Sequence, residues 1–208
     1  MIKTIVKDVT AKIEVKKSQF IANIFQVNSE EEAKNKIAEI KKTHRDARHN
    51  CFGYIIEQVD EDGKINHIEK FSDDGEPSGT AGTPILDILK KQKISNVVVI
   101  VTRYFGGILL GTGGLVKAYS DATKLVIDNS EFINKEAGIL MQITIAYNYL
   151  KNLEYICKNN DIRIINIQYG ENVVVELAIA STKIEIIENA NFEILDSKVK
   201  NKNIYVMV

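Results

Sequence analysis

The spacing of apolar residues marks out the elements of this chain. Residues 11–16 and 19–27, the second carrying Phe20, Ile21, Ile24, Phe25 and Val27, predict two strands broken at Lys16-Lys17-Ser18. Ser29-Glu30-Glu31-Glu32 has the form of a capping box, with a serine to accept from the helix and a glutamate three residues on to reach back. Ala33, Ile37 and Ile40 then recur at helical spacing to about Lys42. Aromatic and branched residues over 51–58 and 64–70 predict a hairpin across Asp60-Glu61-Asp62-Gly63. A short helix over 80–92 accommodates Pro84 only in its first turn. Val97–Val101 has no polar face, so Asn96–Thr102 is predicted to be a buried strand. From Gly113 to Asp128 a helix carries Leu115, Val116, Tyr119, Ala122, Val126 and Ile127 on a broad apolar side.

After a connector over Asn134–Gly138 the pattern restarts with strand 139–146, helix 148–159, strands 162–168 and 172–180, helix 182–190 and strands within 192–208. That βαββαβ order is the split-βαβ or ferredoxin-like arrangement. Each half therefore has its own strands and helices, which predicts an α+β fold in two domains, 1–135 and 136–208. A chain of 208 residues suits two domains of roughly 100–150 residues or fewer.

Composition narrows the function classes. With 45% hydrophobic residues the chain has enough apolar side chain for real cores. Net charge is −1; up to residue 135 there are 20 basic against 19 acidic residues, and 7 against 9 beyond. Neither half is a polycation, so nucleic-acid contact would need a local patch. Two cysteines, Cys51 and Cys157, cannot build a disulfide framework and point to a reducing compartment. The start, Ile2–Asp8, has no leader-like apolar run, and Val97–Val101 is far shorter than the roughly 20 residues of a membrane helix. A soluble, cytoplasmic protein is expected.

Glycine carries the strongest local signal. Eight of the twelve glycines fall between Gly75 and Gly114, with both prolines, Pro77 and Pro84. Clustered glycine costs conformational entropy and marks left-handed backbone or close approach. The first segment, Phe71 to Pro84, sets Asp73, Asp74 and Glu76 among Ser78, Gly79, Thr80 and the start of a helix. Its carboxylates are candidates for a hard cation. Its hydroxyls and helix amides are candidates for an anion. The plainer alternative is that Asp73 and Ser78 cap turns.

The second segment, Thr102 to Tyr119, runs from a buried strand through a glycine loop into a helix, a geometry whose exposed amides favour negative charge. Gly106, Gly107, Gly111, Gly113 and Gly114 would supply the amides, Arg103 and Lys117 formal charge, and Tyr104 with Phe105 a stacking surface. It is neither a P-loop nor a dinucleotide fingerprint, since no Gly-Lys-Ser/Thr and no third glycine stand where those need them. The alternative is core packing of Tyr104 and Phe105, with glycines that let helix and sheet approach.

His44, Asp46, His49 and Cys51 raise zinc or a nucleophile–base pair. His44 and His49 are five residues apart, and only the distant His67 and Cys157 could complete a site, so a helix end followed by a strand is the blander account. No metal is expected. His49 and Asn50 are placed as lining the same cleft as the glycine segments. Lys16-Lys17-Ser18 reads as a solvated strand edge that also discourages edge pairing; the alternative is that it forms the local basic patch together with Arg48, Arg103 and Lys117.

These segments resemble the YigZ/IMPACT family. The matching pieces are Lys17–Ala22, His44 with Asp46-Ala47 leading to His49-Asn50-Cys51, Ser72–Gly82, Val101–Gly107 and Gly113–Tyr119. The resemblance implies a first domain of the ribosomal-protein-S5 domain 2-like type and a second, ferredoxin-like domain similar to the last domain of elongation factor G. Eukaryotic relatives act in translational control by competing for a partner of an eIF2α kinase, through regions not seen in this chain. Two positions depart from the family: Leu109 stands where a basic residue is frequent, and Arg48 where a small hydroxyl residue is.

The leading expectation is a binding protein of the translation apparatus, contacting RNA or a ribosome-associated partner through a glycine-rich, anion-binding cleft, with no cofactor. The runner-up is an enzyme acting on a phosphorylated small molecule or nucleotide, with Asp73, Asp74 or Glu76 as metal ligand or base and Arg103 on phosphate. A third class is a protein-interaction module. No nucleophile, base and orienting group stand together in the sequence, which weighs against catalysis.

Overall fold

Valine-rich Val97–Val101 is the centre of the first sheet because helices cover both its faces. Val97, Val99 and Val101 pack with Ile85, Leu89, Leu115, Tyr119 and Val126, while Val98 and Ile100 face Ala33, Ile37 and Ile40. A strand buried on two faces needs no polar side. The molecule, described here from a computed structural model, is seen over residues 2–59 and 65–207. The predicted turn Asp60–Gly63 lies outside the described residues. Two compact units emerge, Ile2–Gln58 with Asn66–Ile133, and Asn134 onward together with Val59 and Ile65.

The first unit runs β1 (Ile2–Ile5), β2 (Val9–Val15), β3 (Ser18–Gln26), α1 (Glu30–Thr43), β4 (His49–Val59), β5 (Ile65–Ser72), α2 (Gly82–Gln92), β6 (Val97–Tyr104) and α3 (Gly111–Asp128). Its sheet is ordered β2-β3-β6-β4-β5. Val15 pairs with Ser18, leaving Lys16 and Lys17 as a two-residue turn, both left-handed at φ 47° and 65°. Primed turns of this kind match the twist of the strands they join. The capping box forms in a shifted version. Ser29 Oγ accepts from the Glu32 amide at 3.1 Å, but the Glu32 carboxylate accepts from Asn28, one residue before the cap, at 2.8 Å. Pro84 is the third residue of α2, within the first turn.

Three expectations change here. β6 continues through Arg103 and Tyr104, and α3 begins at Gly111, which shortens the glycine loop at both ends. Val116, expected on the apolar side of α3, is exposed, because the buried stripe runs Leu115, Ala118, Tyr119, Ala122 and Val126. β1 was not anticipated from the pattern; its four residues are too few for a period to show. It is anchored by Thr4 Oγ1 donating to the Asn96 carbonyl at 3.2 Å and by a parallel bridge from Lys3 to Ile94.

The second unit follows β7 (Phe132–Ile145), α4 (Leu150–Asn159), β8 (Arg163–Tyr169), β9 (Val173–Ala180), α5 (Ile184–Glu188) and β10 (Ile194–Met207). β10 pairs with β7, β7 with β9 and β9 with β8, all antiparallel, which is the ferredoxin-like strand order. Ile139, Met141, Ile143 and Ile145 alternate into a core with Val173, Val175, Leu177 and Ile179. The predicted connector Asn134–Gly138 is strand instead, because β10 pairs along it, Lys135 to Met207 and Gly138 to Ile204. Gly138 serves close approach, since a Cβ there would lie 2.4 Å from the Ile179 carbonyl oxygen. The chain is thus a two-domain α+β protein. Among the described residues no helix is long and apolar enough to cross a membrane.

Candidate functional site

Between the end of β5 and the start of α2 the chain wraps around Asp73. Its carboxylate accepts from the amides of Gly79 at 2.9 Å, Ala81 at 3.0 Å and Gly82 at 2.8 Å. A carboxylate at a helix N-terminus answers both the unpaired N–H groups and the dipole. The donors that an external anion would need at this segment are therefore already engaged, and Gly79 drops out of the anion-binding set. Thr80 drops out as well: it is buried and its hydroxyl donates to the Pro77 carbonyl at 2.7 Å. Ser78 stays exposed. The turn-capping alternative holds for Asp73.

Asp74, left-handed at φ 43°, ties the same loop to its neighbours. Its carboxylate accepts from the Asn50 amide at 2.7 Å and from Lys41 Nζ at 2.6 Å, and its carbonyl accepts from His49 Nδ1 at 2.9 Å. Asn50 in turn accepts from Thr102 Oγ1 at 2.8 Å. His49 and Asn50 do stand beside the first glycine segment, as its supports.

Glu76 joins the two segments. Its side chain and that of Arg103 are only 3% and 7% exposed, and Arg103 Nη1 donates to Glu76 Oε1 at 2.7 Å. Tyr119 OH donates to the same oxygen at 2.9 Å. Cys51 Sγ lies 3.3 Å from Tyr119 OH and 2.9 Å from the Asp73 carbonyl oxygen. Burial pushes the Cys51 thiol up to about 12, against the lowering pull of its Tyr119 bond. Burial also raises the Tyr119 phenol, with Cys51 and Glu76 adding to it. Both groups keep their protons at neutral pH, which removes Cys51 as a nucleophile. Arg103, assigned from sequence to a phosphate, is instead the inner half of an ion pair, with its plane 5.6 Å from the Phe20 ring and 5.7 Å from Phe105.

The second segment is the open one. Tyr104 OH pairs with His44 Nδ1 at 2.9 Å. Gly106 is pressed against the β2–β3 turn: a Cβ there would sit 2.0 Å from the Lys17 carbonyl carbon, and its amide donates to Ser18 Oγ at 3.1 Å. Gly107 and Gly111 are left-handed at φ 86° and 67°. Gly113 has neither reason to be glycine, since its φ is not left-handed and a Cβ would meet nothing within 4 Å. Among the described residues the amides of Gly111, Thr112 and Gly113 donate to nothing in the protein, and no acidic residue lies in the first turn of α3. Gly114 and Lys117 follow on α3, Lys117 exposed. The same loop bares Phe105 (51% exposed), Ile108 (42%) and Leu109 (83%), and α3 bares Val116 (38%).

The two segments are therefore brought together, but through Glu76, Arg103 and Tyr119 and not through facing amides. Of the charged candidates, Asp73, Asp74 and Glu76 each have internal partners. Among the described residues no three His, Cys, Asp or Glu side chains are grouped to hold a metal. Tyr119 and Ser18, both structural keystones, escaped sequence reasoning. Tyr119 sits inside an apolar helical stripe, and only its hydroxyl hints at a polar partner.

Comparison with known proteins gives the following. Residues 16–127 match the Impact N-terminal domain and residues 143–190 match a domain of unknown function, DUF1949. The IMPACT family member YvyE of Bacillus subtilis is 39% identical over 164 residues, 79% of this chain and 73% of its own. The IMPACT family member YigZ of Escherichia coli is 35% identical over 176 residues, 85% of this chain and 84% of its own. A crystal structure of a hypothetical protein overlays 93% of this chain and 95% of its own with a TM-score of 0.63 and 31% identity.

Proposed function

The chain belongs to the IMPACT family, and from that premise and the site geometry we propose that it is a binding protein associated with translation, docking a ribosome-associated protein at the loop Phe105–Lys117. The translation link is what kinship with IMPACT proteins implies. The docking surface rests on one observation: a loop pressed against the β2–β3 turn at Gly106 nevertheless bares Ile108 and Leu109 to solvent, with Val116 exposed on the α3 that follows. Side chains held outward on a fixed frame lose little further entropy when a partner covers them. Full burial of an exposed side chain of this kind contributes about 1.5–3 kcal/mol, so Leu109, at 83% exposed, has the most to gain and Ile108 and Val116 about half as much.

Leu109 has a consequence of its own. Leu109 puts an aliphatic side chain, 83% exposed, at the tip of the loop, where it offers apolar surface and no attraction for phosphate. RNA held through this loop is correspondingly disfavoured. The metal-assisted enzyme finds little support, because Asp73, Asp74 and Glu76 already hold three amides, a lysine with an amide, and a buried arginine with a phenol.

The test is co-sedimentation of the full chain with bacterial ribosomes, compared before and after a high-salt wash that strips associated factors. Binding is expected to ribosomes that keep their factors and to fall by about tenfold or more with Leu109→Asp. Equal sedimentation of wild type and Leu109→Asp would sink the docking surface.

A further inference from the structure

We infer that the segment taken up at this loop is acidic and amphipathic, a short stretch of protein with apolar side chains on one side and carboxylates along its rim. This rests on the docking reading above and adds the chemistry of the partner. The centre of the surface is apolar, formed by Phe105, Ile108, Leu109 and Val116. Its rim is basic. Lys16 and Lys17 form the turn whose backbone abuts Gly106, and Lys117 follows Val116 on α3; all three are exposed, and among the described residues none makes an ion pair. The amides of Gly111, Thr112 and Gly113, without a partner among the described residues, add positive potential at the start of α3.

The carboxylates of the neighbouring glycine segment are engaged inside the protein. Asp73 faces its own loop amides, Asp74 faces Lys41 and Asn50, and Glu76 is buried on Arg103. Outside that segment, Glu14 stands two residues before Lys16, Asp121 four after Lys117, and Asp46 two after His44, against the lysine pair and Lys117 that adjoin the loop itself. An apolar centre with a rim of one sign selects a partner with the opposite rim, because like charges set face to face repel. Nucleic acid would satisfy the lysines but would leave three aliphatic side chains with nothing to cover them. Phe105 is the only exposed aromatic ring on the loop, since the Tyr104 hydroxyl is tied to His44. Gly113 fits the same picture: glycine in open space at a helix start gives the fold nothing and lets a partner's backbone come close.

The experiment uses three labelled probes and fluorescence anisotropy with the full chain. One is a helical peptide with leucine on one face and glutamate on the other; the second has lysine for every glutamate; the third is oligouridine RNA. The glutamate peptide is expected to bind about tenfold or more tighter than the lysine peptide and to weaken as salt rises. Lys16→Glu with Lys117→Glu should erase that preference, and Leu109→Asp should abolish binding of the glutamate peptide. If both peptides bind alike and Leu109→Asp still weakens them, the acidic partner is refuted while the docking surface stands. If Leu109→Asp changes nothing, both fall. Tight oligouridine binding that ignores Leu109→Asp would overturn the inference in favour of RNA.

Discussion

Replacing Glu76 by alanine tests the network that holds the two glycine segments together. In the native protein one carboxylate oxygen takes both the Arg103 guanidinium and the Tyr119 hydroxyl, at 2.7 and 2.9 Å, where neither charged side chain is more than 7% exposed. Arg103 Nε already lacks a partner. Without Glu76 the guanidinium keeps its charge in a site closed to water, with the Phe20 and Phe105 rings as its remaining neighbours. Breaking a buried pair from one side costs about 3–5 kcal/mol, mostly the stranded charge. At about 2–4 °C per kcal/mol for a chain of this size, the first unit should melt about 10 °C lower. Glu76→Leu combined with Arg103→Met removes both charges and should recover most of that loss. Because the chain forms two compact units, the readout is amide exchange of Val97–Val101 under increasing urea, which reports on the core of the first unit. A loss below about 1 kcal/mol for Glu76→Ala, or a double variant worse than the single one, would refute the argument.

Three further outcomes follow from the geometry. Gly113→Ala should stabilise the first unit by up to about 1 kcal/mol, as alanine in a regular helical position does, while weakening glutamate-peptide binding; unchanged affinity would remove Gly113 from the docking surface. Cys51, with its thiol pushed up to about 12 by burial, should resist iodoacetamide at pH 8 in the folded chain and react on unfolding; alkylation at the rate of a free thiol would contradict its placement. Hydrogen bonds from Lys34 and Lys70 lower the Glu30 carboxyl from its ordinary 4.5 to about 2. Its folded value lies below its unfolded one, so its contribution is whole above about pH 4.5 and disappears as pH falls towards 2. Glu30→Gln should therefore flatten the acid limb of the stability curve in that window, and an identical limb would count against the pairing.

Much of the fold could be read before any coordinates. Val97–Val101 announced a strand covered on both faces, Ser29 announced the start of α1, and the βαββαβ order read in the second half is the order of its elements along the chain. What could not be read depends on partners distant in sequence. Asn134–Gly138 looks like a connector because its residues have no period, and it becomes strand because β10, some seventy residues on, pairs with it. Val116 looks apolar and inward, and faces outward because the sheet reaches only the Leu115–Tyr119 stripe.

For the site the division has the same cause. Sequence by itself determined that glycine, carboxylates and hydroxyls cluster over Gly75–Gly114, and that something there needs unusual backbone. Only the tertiary structure decided which donors stay open. The amides of Gly79, Ala81 and Gly82 close on Asp73, and Arg103 turns inward to Glu76, whereas Gly111, Thr112 and Gly113 and the side chain of Leu109 face solvent. A residue's chemistry is local and legible, but its availability depends on which distant atoms fold against it, because a hydrogen bond made inside the protein cannot also be offered outside it.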